Sequence, residues 1–260
     1  MSSATRTLLA ACLLVPCVCR IARCDLARDS GKATLEDAGT LVVELSAQHE
    51  QDGGDNERSV ELALQYVPSW LPRVNLFLES TTWKRIATEQ QPVHTGQGDT
   101  EIGLTTLLRA AEGWSPGILL GARLKLPTGQ EPWLGSGSAD WSGLLVLGTG
   151  FERLDLNLEL EYLRPGQPAA LPGTAGVVDA ELKNRLLLSL AADLDLLEHL
   201  KLFSELGAAT AETADDRPEL ALELGMEVDI DLFDVGNLFL ETGAQTDSGV
   251  KAKLGLELEF

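Results

Sequence analysis

Apolar and polar residues alternate one for one along most of this 260-residue chain. Between Glu219 and Leu232 the apolar set is Leu220, Leu222, Leu224, Met226, Val228, Ile230 and Leu232. The positions between them are Ala221, Glu223, Gly225, Glu227, Asp229 and Asp231. Leu154 to Tyr162 and Ile118 to Leu126 repeat the pattern. A period of two sends successive side chains to opposite faces of a β-strand. On a helix the same leucines would be spread around every side. Leucine prefers helices and glutamate is depleted in strands, but the period outweighs these propensities. The fold class is therefore all-β.

The last eleven residues narrow the choice. Val250, Ala252, Leu254, Leu256, Leu258 and Phe260 point one way, with Lys251, Lys253, Gly255, Glu257 and Glu259 between them. Chain ends usually fray into solvent, yet this alternation runs to a terminal aromatic. A strand that closes a transmembrane β-barrel accounts for both features, because its outer side chains face lipid and its backbone pairs with the first strand. Thr40 to Glu50, with Leu41, Val43, Leu45 and Ala47 on one face, offers the matching first strand.

The period predicts twelve strands, at about 40–50, 58–67, 73–83, 98–109, 116–126, 139–150, 153–163, 181–193, 200–210, 219–230, 236–246 and 250–260. An even number lets an antiparallel sheet close, and tilted strands of this length span a hydrocarbon layer. Long and short connections alternate, except for the short Asp247-Ser248-Gly249. The expectation is a transmembrane antiparallel up-and-down β-barrel over 40–260. Tyr66, Trp70, Trp114, Tyr162, Phe233 and Phe260 sit near strand ends or in turns, where interfacial aromatics belong.

Forty acidic against twenty basic residues give a net charge of −20, which excludes the basic footprint of a nucleic-acid binder. A 44% hydrophobic content excludes disorder. No apolar run approaches the length of a membrane-spanning helix. Cys12, Cys17, Cys19 and Cys24 all precede residue 25. Residues 1–24 read as a secretory signal, with Arg6 before the apolar Thr7–Val18 stretch. Residues 25–39 would form a periplasmic N-terminal segment of a thiol-free mature chain. The expected location is a Gram-negative outer membrane, and the expected partners are lipid, a small solute and the outer-membrane assembly machinery.

With the leucines outward, the inward set includes Arg109, Arg123, Lys125, Glu159, Glu161, Glu223, Glu227, Lys251 and Lys253. Charge of this density requires water or internal pairing. Opposed charges in a lumen orient solutes and set ion preference, so these residues are candidates for a pore lining. The alternative is a barrel plugged by its own side chains, with a structural or partner-binding role in the outer membrane. An enzyme is the third reading, but His49, His94 and His199 have no ligand-like spacing. No Gly-x-Ser-x-Gly elbow is present either. No catalytic residue, metal or cofactor is expected.

Three runs carry a resemblance. They are Gly96-Gln97-Gly98-Asp99-Thr100-Glu101-Ile102-Gly103, then Lys125-Leu126-Pro127-Thr128-Gly129, then Leu134-Gly135-Ser136-Gly137-Ser138-Ala139-Asp140. Over about 96–163 the chain resembles the phenol-degradation MetA-pathway family, outer-membrane proteins described as transporters. The resemblance marks Gly98, Asp99, Lys125, Pro127, Gly129, Gly135, Gly137 and Asp140. It implies passive or facilitated diffusion of small solutes, among them small aromatic or hydrophobic compounds. It also implies that Phe260 ends a signal for membrane insertion. Two accounts of the motif stay open. Asp99 and Asp140 could join Arg123 and Lys125 in a solute-selecting cluster, or the motif could simply pin two loops.

Overall fold

The structure, a computed structural model, describes residues 35–52, 55–87, 92–112, 114–129, 134–135, 137–166, 182–197, 199–211, 218–231, 236–245 and 250–260. The expected signal segment over 1–24, with Cys12, Cys17, Cys19 and Cys24, lies outside the described residues, as do Trp133, Phe233 and most of 25–39.

Thirteen strand segments are described: β1 (Leu41–Asp52), β2 (Asp55–Tyr66), β3 (Val74–Ala87), β4 (His94–Gly96), β5 (Thr100–Arg109), β6 (Gly117–Leu126), β7 (Asp140–Phe151), β8 (Leu154–Arg164), β9 (Arg185–Leu197), β10 (Leu200–Ala209), β11 (Glu219–Asp231), β12 (Gly236–Gln245) and β13 (Val250–Glu259). Both β4 and β5 pair with β3 and follow one another across Gln97–Asp99, so they form one interrupted wall strand. Twelve wall strands result. Each pairs antiparallel with its sequence neighbour, and β1 pairs with β13, so the sheet closes on itself. The all-β barrel expected from the period is the fold observed. The closing seam matches Val42 with Glu259 through Gln51 with Val250. Beyond it, Leu41 and Phe260 exchange two backbone hydrogen bonds of 2.9 Å.

Boundaries differ from expectation where the ladder outruns the alternation. Polar residues 51–57 read as a loop, but β1 continues to Asp52 and β2 begins at Asp55. Likewise β3 runs on to Ala87 and draws His94–Gly96 into pairing, within what read as one long loop. The eighth expected strand, 181–193, lies four residues later, as β9 at Arg185–Leu197, which leaves only two residues before β10.

One end of the barrel carries the turns after β2, β5, β7, β9 and β11, together with the entry to β1 and Phe260; we call it the turn end. The other is the loop end. Outward positions are rich in exposed leucine, for example Leu45, Leu104, Leu188, Leu190 and Leu224. Aromatics frame this apolar band. Tyr66, Trp70, Trp114 and Phe260 are exposed at the turn end, and Trp83, Trp141 and Tyr162 towards the loop end. Trp141 and Tyr162 make a tilted ring contact with centroids 5.9 Å apart. Most buried residues lie inside, and many are polar: Ser46, Ser142, Asn157, Glu159, Ser189, Glu205, Glu223 and Glu241.

Candidate functional site: the inward face of the barrel

The hydrogen-bond ladder fixes which side chains meet inside. On β6, Arg123 lies opposite Gly103 of β5 and Ser142 of β7. Its guanidinium reaches the carboxylates of Glu101 at 3.7 Å and of Glu159, two strands away, at 3.9 Å. It also stands 5.8 Å above the Phe77 ring. Glu159 and Glu161 follow one another on the inward face of β8 and are almost completely buried. Glu227 is ion-paired with Lys201 at 2.7 Å, and Lys253 with Glu44 at 3.1 Å. Glu223 lies directly opposite Glu205, whose carboxylate accepts from Ser189. Lys251 pairs with Glu50 in the backbone ladder, while its side chain lies outside what the structure describes.

Arg109 departs from its expected inward position. The β5–β6 register shifts between Leu107 and Arg109, which brings Arg109 opposite outward Ile118. Its exposed guanidinium donates to the Pro116 carbonyl at 2.6 and 3.0 Å. A bulge of this kind reverses the face of everything beyond it.

The glycine and aspartate motif gathers at the loop end. The Gly129 amide donates to Asp99 Oδ1 at 3.0 Å, and Thr128 Oγ1 donates to the Gly98 carbonyl at 3.2 Å. Gly135 lies against the same carboxylate, where a Cβ would stand 2.8 Å from Asp99 Cγ. Asp140 forms an ion pair with Lys125 and accepts from the Gly166 amide at 2.8 Å. Gly137 adopts a φ of 67°, which disfavours any other residue there. Pro127 occupies the first position after β6. These contacts tie three successive connections to the rim. Arg123 and Lys125 therefore separate, with Lys125 engaged in the loop clasp and Arg123 within the lumen.

A repeated unit escaped the sequence reading. Phe77, Phe203 and Phe239 each lie directly opposite a glycine on the next strand, namely Gly103, Gly225 and Gly255. Each ring occupies the space a side chain would need. A Cβ at Gly103 would stand 2.7 Å from Phe77 Cε1, and one at Gly225 2.7 Å from Phe203 Cε1. An aromatic covering a cross-strand glycine shields backbone that glycine leaves bare. Two residues on, each strand carries an inward glutamate, and the three cross-strand pairs are Glu79–Glu101, Glu205–Glu223 and Glu241–Lys253. The sequence signal was available in Asn75-Leu76-Phe77-Leu78-Glu79 and Asn237-Leu238-Phe239-Leu240-Glu241, one pentapeptide written twice.

The interior is not uniformly polar. Leu119, Leu144 and Val146 form a buried inward cluster with Leu107, and Leu35, from the chain before β1, packs against it. That contact brings the entering segment into the lumen. Among the described residues, no group of three or more His, Cys, Asp or Glu side chains is arranged to hold a metal ion.

At the level of sequence, no family model and no curated protein matches the chain. Solved structures do match its shape. An outer membrane channel from Pseudomonas putida F1 superposes with a TM-score of 0.70 at 14% identity, covering 88% of this chain and 98% of that one. The NanC porin gives 0.55 at 9% identity, covering 84% and 98%. The KdgM porin gives 0.52 at 12% identity, covering 84% and 99%. At such low identity these likenesses establish the barrel architecture.

Proposed function

We propose that this protein is an outer-membrane channel through which small solutes diffuse passively or by facilitation. One observation carries the reading: a closed barrel turns exposed leucines outward and buried charge inward. A continuous exposed apolar wall would be an aggregation surface in water. Against hydrocarbon it is the required surface, and closure leaves no backbone group unpaired. The membership of the MetA-pathway family suggested by residues 96–163, and with it a small aromatic or hydrophobic solute, belongs to this proposal. So does the role of Phe260 as an insertion signal read by the assembly machinery.

The lumen supplies an electrostatic bias. Its buried inward carboxylates include Glu159, Glu161, Asp193, Glu205, Glu223 and Glu241, against the cations Arg123, Lys201 and Lys253. Fixed negative charge along a path favours cations and neutral solutes over anions. KdgM has been solved in complex with disordered oligogalacturonate; an anionic oligomer of that kind would be disfavoured here.

Refolded mature protein in planar bilayers should give discrete conductance steps with a cationic reversal potential in a salt gradient. Absence of conductance at every voltage, together with no solute uptake by loaded vesicles, would overturn the channel reading. A second reading, an occluded barrel, is favoured by the packing of Leu35 on the inward cluster. Replacing Leu35 with glycine separates the two: conductance rises several-fold if this segment narrows the path.

A further inference from the structure

The outward face changes character within one step of the ladder near the loop end. One row holds Ala47, Val60 and Trp83, directly opposite one another across β1, β2 and β3. In the next row towards the loops, Arg58 stands opposite His49 on one side and Arg85 on the other. The row beyond has Asn56 opposite Ala87. The face is outward, because Ser59 and Glu57 on the alternate positions of β2 belong to the buried interior, where Glu57 pairs with Lys84 at 2.7 Å. A bulge between Val60 and Glu61 sets this register on β3 and brings Trp83 and Arg85 to the outside.

Such a row is costly by itself. Side chains directly opposite one another have Cβ atoms about 5 Å apart, and like charges at that spacing repel. Arg58 is exposed, and neither guanidinium has an ion-pair partner among the described residues. His49 is nearly buried beside them. Its Nδ1 donates to the Glu57 carbonyl at 2.9 Å, and its Nε2 has no hydrogen-bond partner among the described residues. In a chain of net charge −20, two neighbouring arginines with no ion-paired carboxylate among the described residues mark a place shaped for an external anion. Trp83 gives its depth, since exposed tryptophan on a membrane protein sits at headgroup level.

We propose that Arg58 and Arg85, flanked by His49 and Trp83, form a docking site on the outer wall for a phosphorylated membrane lipid. The occupant is a lipid of the loop-side leaflet that presents a phosphate monoester. Each guanidinium offers a planar fork of donors matched to phosphate oxygens. The two strands lie about 4.8 Å apart, which places both forks within reach of one phosphate. The acyl chains then lie against Ala47 and Val60 and, one row further from the loops, against Leu45 and Leu62. The inference rests on the membrane placement proposed above, and its test keeps the two apart.

The test uses the refolded full barrel in detergent with defined lipids, read by native mass spectrometry. The probes are bis-phosphorylated lipid A and phosphatidylglycerol, which carries a diester and no monoester. The wild type should retain lipid A, and the double variant Arg58→Gln/Arg85→Gln should retain at least tenfold less. Arg153→Gln, at an exposed turn-end arginine, should leave retention unchanged. Heat-modifiable migration on a gel verifies that each variant is a folded barrel. If the double variant does not fold, Arg58→Lys/Arg85→Lys replaces it; this variant keeps the charge, loses the fork, and should still lose most retention. Undiminished lipid A on the folded variant overturns the site, as does equal retention of phosphatidylglycerol by the wild type. A protein that conducts in bilayers yet retains no lipid A fails this inference alone.

Discussion

The same pentapeptide builds two parts of the lumen wall with different electrostatics. Asn75–Glu79 on β3 faces β5, and Asn237–Glu241 on β12 faces β13. In both, the phenylalanine covers a glycine. In the second copy the glutamate meets Lys253, which also stands 5.5 Å above the Phe239 ring. In the first copy Glu79 meets another carboxylate, Glu101, and the cation arrives from the next strand as Arg123 above Phe77. The aromatic-on-glycine contact and a cation over the ring are the constants; the strand that supplies the cation varies. A ring needs a particular neighbour directly opposite, because its contact is steric and short-ranged. A charge acts over several ångströms and can be supplied from another strand.

That contrast is broken most forcefully at the rings. Phe203→Ala, Phe77→Ala and Phe239→Ala should each cost about 3 kcal/mol, the loss expected for truncating a packed aromatic. Urea titration followed by heat-modifiable migration measures it. If only Phe239 were sensitive, the two copies would not be equivalent units. The reciprocal change is smaller. Gly103→Ala and Gly255→Ala add one methyl group where the ring already lies and should cost about 2 kcal/mol by overpacking. Gly143→Ala serves as the comparison. A Cβ there would meet nothing nearer than the Gly121 carbonyl oxygen at 3.9 Å, and the variant should stay within about 0.5 kcal/mol of the wild type.

Neutralising the two cations sharpens the comparison through transport. Arg123→Met removes the partner of two carboxylates, Glu101 and Glu159, whereas Lys253→Met removes the partner of Glu44. Both should move the reversal potential towards cations, Arg123→Met further, by about threefold in permeability ratio. An unchanged reversal potential in Arg123→Met would remove that residue from the conduction path.

Much of this arrangement was legible before the structure. The two-residue period alone separates Arg123, Glu159, Glu223 and Lys253 from the leucines between them, because a closed sheet forces every strand to choose a face. The period also places Phe260 at a seam with β1. It fails where pairing itself decides. Arg109 changes face at a bulge that no local residue announces. β3 extends through Trp83-Lys84-Arg85 because β2 and β4 are there to bond it. Partners across strands were the larger omission. Phe77 and Gly103 are 26 positions apart in sequence, and only the register makes them opposite. The loop motif was visible as residues, but its division between a rim clasp at Asp99 and Asp140 and a lumen cation at Arg123 needed three strands in place.

The subtlest test exchanges the charge pattern of one copy for that of the other. Glu101→Lys gives Glu79 the opposite charge that Glu241 enjoys in Lys253. It also sets the introduced lysine beside Arg123, which now loses its contact to Glu101 and retains Glu159 alone. The single variant should therefore be less stable than the wild type by about 1 kcal/mol. The double variant Glu101→Lys/Arg123→Met has its cation supplied from β5, directly opposite the glutamate, as in β12–β13. It should recover most of that loss, giving a coupling between the positions of about 1 kcal/mol in a double-mutant cycle. Recovery means that the wall requires a cation over Phe77 and is indifferent to the strand that provides it. Additive losses would mean that Arg123 holds its place through Glu159 and the ring, and that the two copies share a steric design without an electrostatic one.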